Sequence, residues 1–430
     1  MTFKESKLIE LCEIVSSKRV FAASYQSEGV PFYRGKEVSQ LARGEMTTAE
    51  LCISEDVYND VISRTGPIYP GDILLTAVGT LGNPYQVKDT DLPFYFKDGN
   101  IVWLRNFSKQ INSAYLFYWL NSEYGRRKVL DTAIGSTQAA LTITGLGSIP
   151  INCPSLAQQT AIVKILSAID QKIANNNALS KTLQDIAQTL FKSWFKDFDP
   201  VKAKMAEEKP TGMDAATAAL FPDSMEESEL GIVPSGWKVT KLSSSLKLHK
   251  STVKAGASTE SVPYVPVDQI GAKDIFLKNS MPGSAAKTSL VSFRKNDILF
   301  GAMRPYFHKV VLAPFDGTTR TTTFVLRVIN SNYLSHSLFT VNQENAVAFA
   351  TNNSQGTTIP YAVWNNSFED FPMVLPPEPT AKAFNDLVLP IIEYGYSLIA
   401  QNRSLVEIRN GLLPRLISGE LQIPDEMLAS

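Results

Sequence analysis

Three histidines, three cysteines and a scatter of carboxylates and glycines are the residues of this chain whose types could do chemistry, and their spacing keeps them apart. His249, His308 and His336 are isolated, with no carboxylate or cysteine cluster at metal-ligand spacing beside them. Cys12, Cys52 and Cys153 are odd in number and distant from one another. They fit neither a disulfide framework nor a zinc site and predict reduced thiols in a cytoplasmic protein. "GTLGNPY" (79–85) is too short for a glycine fingerprint, and turn glycines account for it. The sequence holds no G-x-x-x-x-G-K-[ST] loop and no G-x-S-x-G elbow. Carboxylates such as Asp297 fall at strand-entry turns. The chain reads as non-catalytic, with no metal or cofactor site of its own.

One further fragment, "NPYQ" (83–86), shares three letters with the Asn-Pro-Pro-Tyr motif of amino-methyltransferases but lacks a proline. With no cofactor-binding glycine motif elsewhere, a turn explains it better. At 430 residues the chain has room for two or three domains, and its 44% apolar and 19% charged residues are ordinary for a soluble globular protein. No apolar run reaches the ~18 residues of a membrane span, and "MTFKESKLIE" lacks the apolar core of a signal peptide. The net charge of −1 is an average: residues 197–233 hold nine acids against three lysines, a balance of −6, which leaves +5 on the remainder. That remainder is mildly basic and permits nucleic-acid binding.

The elements that would position any site occur twice. "PGDILLTAVG" (70–79) matches "KNDILFGAMR" (295–304), "GVPFYRG" (29–35) matches "SVPYVPV" (261–267), and "IPINCPSLAQQ" (149–159) matches "FPMVLPPEPTA" (371–381). The last offset, 222 residues, then holds without a gap for about forty more. Behind it run two helical stripes in alternating steps of four and three. The first is Ile162, Leu166, Ile169, Ile173, Asn176, Ser180, Leu183, Ala187, Leu190 and Trp194; the second is Phe384, Val388, Ile391, Gly395, Leu398, Asn402, Leu405, Arg409, Leu412 and Leu416. A 3.5-residue period sustained this long predicts a coiled-coil seam, with polar Ser180, Asn402 and Asn176 fixing register. Over 33 residues each seam would run roughly 50 Å. Pro200 is expected to close the first helix and Gly419 the second, while Pro390 and Pro414 should kink or break the second. Each half also carries short β-rich runs and one amphipathic helix, 113–131 or 331–349.

In "LAQQTAIVKILSAIDQKI" (156–173), "LFKSWFKDFDPVKAK" (190–204), "GMDAATAALFPDSMEESELGIVPSGWK" (212–238) and "LLPRLISGEL" (412–421), the chain resembles the specificity subunit of type I restriction-modification systems. The second helix departs from the family pattern, opening with "PPEPTAKAF" where a Leu-x-x-Gln-like segment is usual. The resemblance implies an α+β fold: two mixed α/β target-recognition domains separated by two long helices forming an antiparallel coiled coil, a pseudo-two-fold internal repeat. The expected bounds are 1–153 and 235–375 for the recognition domains, 154–198 and 376–421 for conserved spacer helices, 199–234 for an acidic linker, and 422–430 for a tail. It further implies that each domain reads one half of a bipartite site on double-stranded DNA. The helices would space the half-sites, about one helical turn apart, and dock two methyltransferase subunits. Restriction or translocase subunits would join through those. S-adenosylmethionine is expected in the methyltransferase partner, for adenine methylation, and not in this chain.

On that resemblance, residue types that contact bases and phosphates single out particular loops. In the first half they are Arg34 and Lys36 in "FYRGKE", Thr76, Thr80 and Asn83 in "TAVGTLGNPY", and Ser136 and Gln138 in "GSTQ". In the second they are Arg304, Tyr306, His308 and Lys309 in "MRPYFHK", Arg320 in "GTTRTTT", and Gln355. Arg126, Arg127 and Lys128 read instead as a solvated helix face. The partner-facing seam is assigned to Ile162, Leu166, Ile169, Ile173, Ser180, Leu183, Leu190, Trp194, Ile391, Leu398, Asn402, Leu405, Leu412 and Leu416. Two other readings compete: a coiled-coil scaffold that binds only protein, and a stand-alone methyltransferase.

Overall fold

A computed structural model of the chain describes residues 4–44, 47–135, 139–356 and 358–428. It mixes helices and sheets in two compact units. One comprises Met1–Ile173 with Ser404–Ser430, the other Ala174–Arg403. Each unit thus takes part of both long helices, Leu156–Phe195 and Glu378–Ser418.

The first unit centres on a four-stranded antiparallel sheet in the order Glu13–Val15, Ile101–Arg105, Ile73–Thr76, Pro84–Gln86. The second has the same sheet in the same order: Leu246–His249, Thr323–Val328, Ile298–Gly301, Val310–Leu312. The central strands, "ILLT" and "ILFG", are buried at every residue, which is why they read as continuous apolar runs rather than alternating ones. One turn starts both. Gly71 and Asn296 take left-handed backbone (φ 91° and 70°), and the next residue, Asp72 or Asp297, accepts a hydrogen bond from the amide three residues back, at 3.0 and 2.8 Å. In each unit a smaller three-stranded sheet lies in sequence around the same strands, and the first strand of the half pairs with the last: Lys4–Lys7 with Pro150–Cys153, Lys238–Lys241 with Pro372–Leu375.

The long helices hold 40 and 41 residues, about 60 Å each at 1.5 Å per residue. Within the second unit Asn176 meets Asn402 and Gln401, and Trp194 and Phe195 meet Phe384, so residue numbers rise along one helix as they fall along the other. Within the first unit Asp170 pairs with Arg409, and Ile162 and Leu166 share a core with Leu413 and Leu416 in the same opposed sense. The buried stripe is wider than a two-residue seam. Phe191, Phe195, Ile392, Ile399, Leu413 and Ile417 are buried beside the assigned positions, while Ile391 and Leu412 are only half-buried. Within each unit the helix segments pack on the globular part as well as on each other. At Gly395 a Cβ would lie 2.3 Å from the Phe276 ring, so only glycine allows that approach.

Several sequence expectations give way here. The first helix ends at Phe195, and Pro200 does not close it: after Phe198 in left-handed backbone, Pro200 opens a new helix, Asp199–Met205, where its missing N–H costs nothing. The second helix continues through Pro390 and Pro414, both exposed, to Ser418 and a left-handed Gly419. The single amphipathic helix of each half is two. Ser113–Asn121 and Glu123–Leu130 divide at Ser122, whose hydroxyl caps Gly125; Leu334–Val341 and Glu344–Asn352 divide at an extended Gln343. The acidic stretch 199–234 is structured as well: it folds into short helices and a hairpin, Met225–Ser228 with Gly231–Pro234, and seats Val201 and Phe221 in the second unit's core beside Trp237.

Candidate nucleic-acid interface

Candidate residues gather at the exit of the central strand in each unit. In the first unit the chain leaves Ile73–Thr76, turns, and re-enters the sheet at Pro84–Gln86. Thr76 is fully buried, and its hydroxyl accepts the Asn83 amide at 3.0 Å. Its place as a DNA contact is therefore corrected: it shapes the turn from inside. The Asn83 side chain accepts from the Arg126 guanidinium at 3.0 Å. Arg126, set aside from sequence because it lies on a helix, thus joins the loop, and no periodicity could have shown it. Thr80 is exposed at the tip. Val78 bridges Ala140, and Ala140 pairs with Ile134, so a second hairpin stands beside the turn. Ser136 and Gln138 lie outside the described residues. A Cβ on Gly35 would lie 4.0 Å from the Val78 carbonyl, which brings Arg34 and Lys36 to the same edge.

Those two cations are already engaged. The Arg34 guanidinium binds Glu37 and Glu50, each at 2.6 Å, and Lys36 also binds Glu50. Lys36 first, then Arg34, hold the exposed Glu50 carboxyl down at about 2, and Glu37 first, then Glu50, raise the Arg34 guanidinium. The cluster could release Lys36 to a phosphate only by giving up Glu50, and Arg34 only by giving up Glu37 and Glu50.

The second unit repeats the layout with other side chains. Ala302 and Met303 donate to the Thr322 carbonyl at 2.9 and 3.2 Å, Met303 bridges Tyr361, and Gln355 pairs with Tyr361. The turn 302–309, the end of strand Gly317–Arg320 and the hairpin 355–361 therefore share one edge. Arg320, Tyr306 and Gln355 are exposed there, and Arg304 is half-buried. His308 is a second correction: only 7% exposed, its ring lies 2.9 Å from the Asn342 carbonyl and 3.1 Å from its side-chain oxygen, so it anchors the turn. Lys309 donates to the Val267 carbonyl at 2.8 Å. Phe307, apolar by type, is 47% exposed beside Tyr306.

The seam residues divide by depth. Ile162, Leu166, Ser180, Trp194, Leu398 and Leu416 are buried; Ile169, Ile173, Leu183, Leu190, Ile391, Asn402, Leu405 and Leu412 are half-buried. Asn176, not Ser180, makes the polar contact across the helices, donating to Gln401 at 2.7 Å and Asn402 at 2.9 Å, while Asn402 donates to Asn177 at 2.9 Å. The Ser180 hydroxyl is buried without a hydrogen-bond partner among the described residues.

Among the described residues no three His, Cys, Asp or Glu are grouped to hold a metal ion, and no helix is long and apolar enough to cross a membrane. The three cysteines are buried and free; burial pushes the Cys12 thiol up to about 12 and that of Cys153 to about 11.

Residues 1–185 match the family described as "Type I restriction modification DNA specificity domain". Over 418 residues, 93% of this chain and 89% of the relative, the chain is 25% identical to the MjaIX type I restriction enzyme specificity subunit of Methanocaldococcus jannaschii. It is 23% identical to the HindI specificity subunit of Haemophilus influenzae, over 82% of this chain and 87% of that protein. Among solved structures it is similar in fold to a type I restriction-modification S subunit from M. genitalium, at a TM-score of 0.55 and 14% identity, covering 97% and 96% of the two chains.

Proposed function

We propose that the chain is a specificity subunit of a type I restriction-modification system and that it reads a bipartite DNA target, one half-site with each half of the chain. Specificity subunits are the non-catalytic DNA-recognition components of restriction-modification complexes. The observation that carries the bipartite reading is the edge that recurs in each unit: an Asp turn, a buried strand, an exposed turn and a bridging hairpin at corresponding positions, with different side chains. Loops on a rigid scaffold are where recognition residues sit. Two such edges in one chain call for two half-sites.

The long helices serve in this reading as a coiled-coil spacer with pseudo-two-fold internal repetition, and as the docking surface for two methyltransferase subunits. Opposed numbering along the two helices and the amide cluster at Asn176 and Asn402 support it. S-adenosylmethionine would be held by the methyltransferase, restriction subunits would join through it, and the assembly would work in the cytoplasm.

The test is selection from a random duplex library with the full chain and its methyltransferase partner. The expected outcome is enrichment of two short motifs separated by a fixed, unspecified gap. Uniform retention, or none, would favour a scaffold that binds protein alone. Label transfer from S-adenosylmethionine to DNA by the isolated chain would favour a methyltransferase.

A further inference from the structure

We propose that Tyr306 and Phe307 form an aromatic wedge that stacks into a base step of the half-site read by the second half of the chain; the inference rests on the DNA-reading function proposed above. Their turn is fixed nearly everywhere except at its tip. Arg304 and His308 both hold left-handed backbone, at φ 52° and 51°, and Pro305 is buried. The Arg304 amide donates to the Pro360 carbonyl, the His308 ring lies on Asn342, and the His308 carbonyl accepts from the Lys273 amide at 2.8 Å. Non-glycine residues in left-handed backbone store strain that the surroundings must hold in place, and such positions cluster at functional sites.

What this framework presents is consecutive, aromatic and outward. Tyr306 is 50% and Phe307 47% exposed, with ring centroids 4.8 Å apart at 56°. Ile359, beside the Pro360 that receives the Arg304 amide, is 49% exposed and extends the apolar surface. The flanking charge selects the occupant. Arg304, Lys273 and Lys309 stand around the turn, with Lys273 paired to Glu344 at 3.0 Å and Lys309 donating to the Val267 carbonyl at 2.8 Å. A cationic rim around apolar rings suits a polyanion with stackable faces, and every base offers such a face. Side chains of this kind unstack base steps and kink the duplex, most easily at pyrimidine–purine steps. The matching turn of the first unit, Gly79–Thr80–Leu81–Gly82, has no ring to insert, so the wedge belongs to one half-site alone.

The test uses the full chain assembled with its methyltransferase partner and duplexes of the selected target carrying 2-aminopurine at successive positions, the methylated adenines left out. Wild-type protein is expected to raise fluorescence several-fold at one step of one half-site, and Tyr306→Phe to keep that rise. The pair Tyr306→Ala and Phe307→Ala is expected to abolish it, weakening binding about tenfold or more while leaving the footprint on the other half-site. Specific two-site binding with flat fluorescence at every step, or a rise that survives the double alanine variant, would overturn the wedge and leave the proposed function standing. Absence of any specific binding by the wild type would overturn both.

Discussion

The two halves of this chain share a scaffold and differ at its edge. In the first, the turn after the central strand is glycine-rich, tied by Thr76 to Asn83, and flanked by Arg126 and the paired Arg34–Glu50–Lys36 group. In the second, the turn carries aromatics on a left-handed frame locked by His308. Below the edge the strand order, register and Asp turn coincide. The halves agree where the core requires it and differ where they face outward, because a change in a buried strand is felt by its neighbours while a loop tip is not.

The comparison can be broken first at the turn that both halves use. Asp297 is buried and holds Arg327 through two contacts of 2.7 Å, whereas Asp72, at the same place, accepts the Trp103 indole at 2.8 Å. Asp297→Asn leaves a guanidinium without its carboxylate and is expected to cost about 3–5 kcal/mol. Asp72→Asn can still accept both hydrogen bonds, and since burial raises the Asp72 carboxyl toward its neutral form, the cost there is about 1 kcal/mol. Equal shifts of the urea midpoint in the two variants would contradict the difference.

A smaller effect tests the helices that carry the edges. His336 is buried among Phe191, Phe195 and Tyr333, and burial lowers its ring to about 3 from 6.5. The unfolded chain therefore binds a proton that the folded chain refuses between those values, and stability is fully present above pH 6.5 and falls as pH drops toward 3. The loss between pH 7.5 and pH 5 is expected to be about 2 kcal/mol, and His336→Phe should remove it. Tyr118, aligned with His336 from the Asn112 and Asn330 caps, donates instead to Asp170 at 2.8 Å, so the first half lacks this sensitivity. A pH profile of urea unfolding unchanged by His336→Phe would refute the assignment.

Next is the amide cluster. Asn176→Ala leaves Gln401 and Asn402 short of a donor and is expected to cost about 1–2 kcal/mol. Asn176→Leu is expected to keep stability but loosen register, read as a spread of gap lengths among selected targets. A gap as sharp as in the wild type would show that the amides do not set it. Smallest is Arg126→Ala: the exposed contact to Asn83 contributes under about 1 kcal/mol, so specificity at one half-site should weaken a few-fold with no change at the other.

The elements fixed by local rules were legible in the sequence. Asp after a turn and a continuous apolar run announced the central strands, and Gly419 the stop of the second long helix. What stayed hidden depended on tertiary surroundings. Pro390 and Pro414 are tolerated on an exposed helix face, Ser122 and Gln343 interrupt helices whose apolar pattern runs on, and Ile392 and Leu413 are deeper than the seam residues beside them because each helix packs on two surfaces. Side-chain partners within the edge were equally silent: Thr76 and His308 look like readers by type and prove to be struts, whereas Arg126 reads as a solvated helix residue and its guanidinium holds Asn83.

A domain exchange tests whether each half reads its own half-site. Residues 1–153 would be exchanged for the matching segment of a relative with a different target, the chain reassembled with its methyltransferase, and the methylated adenines mapped across a genome. The expected result is a target in which one half-site changes while the other half-site and the gap stay as they were. Both half-sites changing, or neither changing in an assembled and active complex, would contradict it.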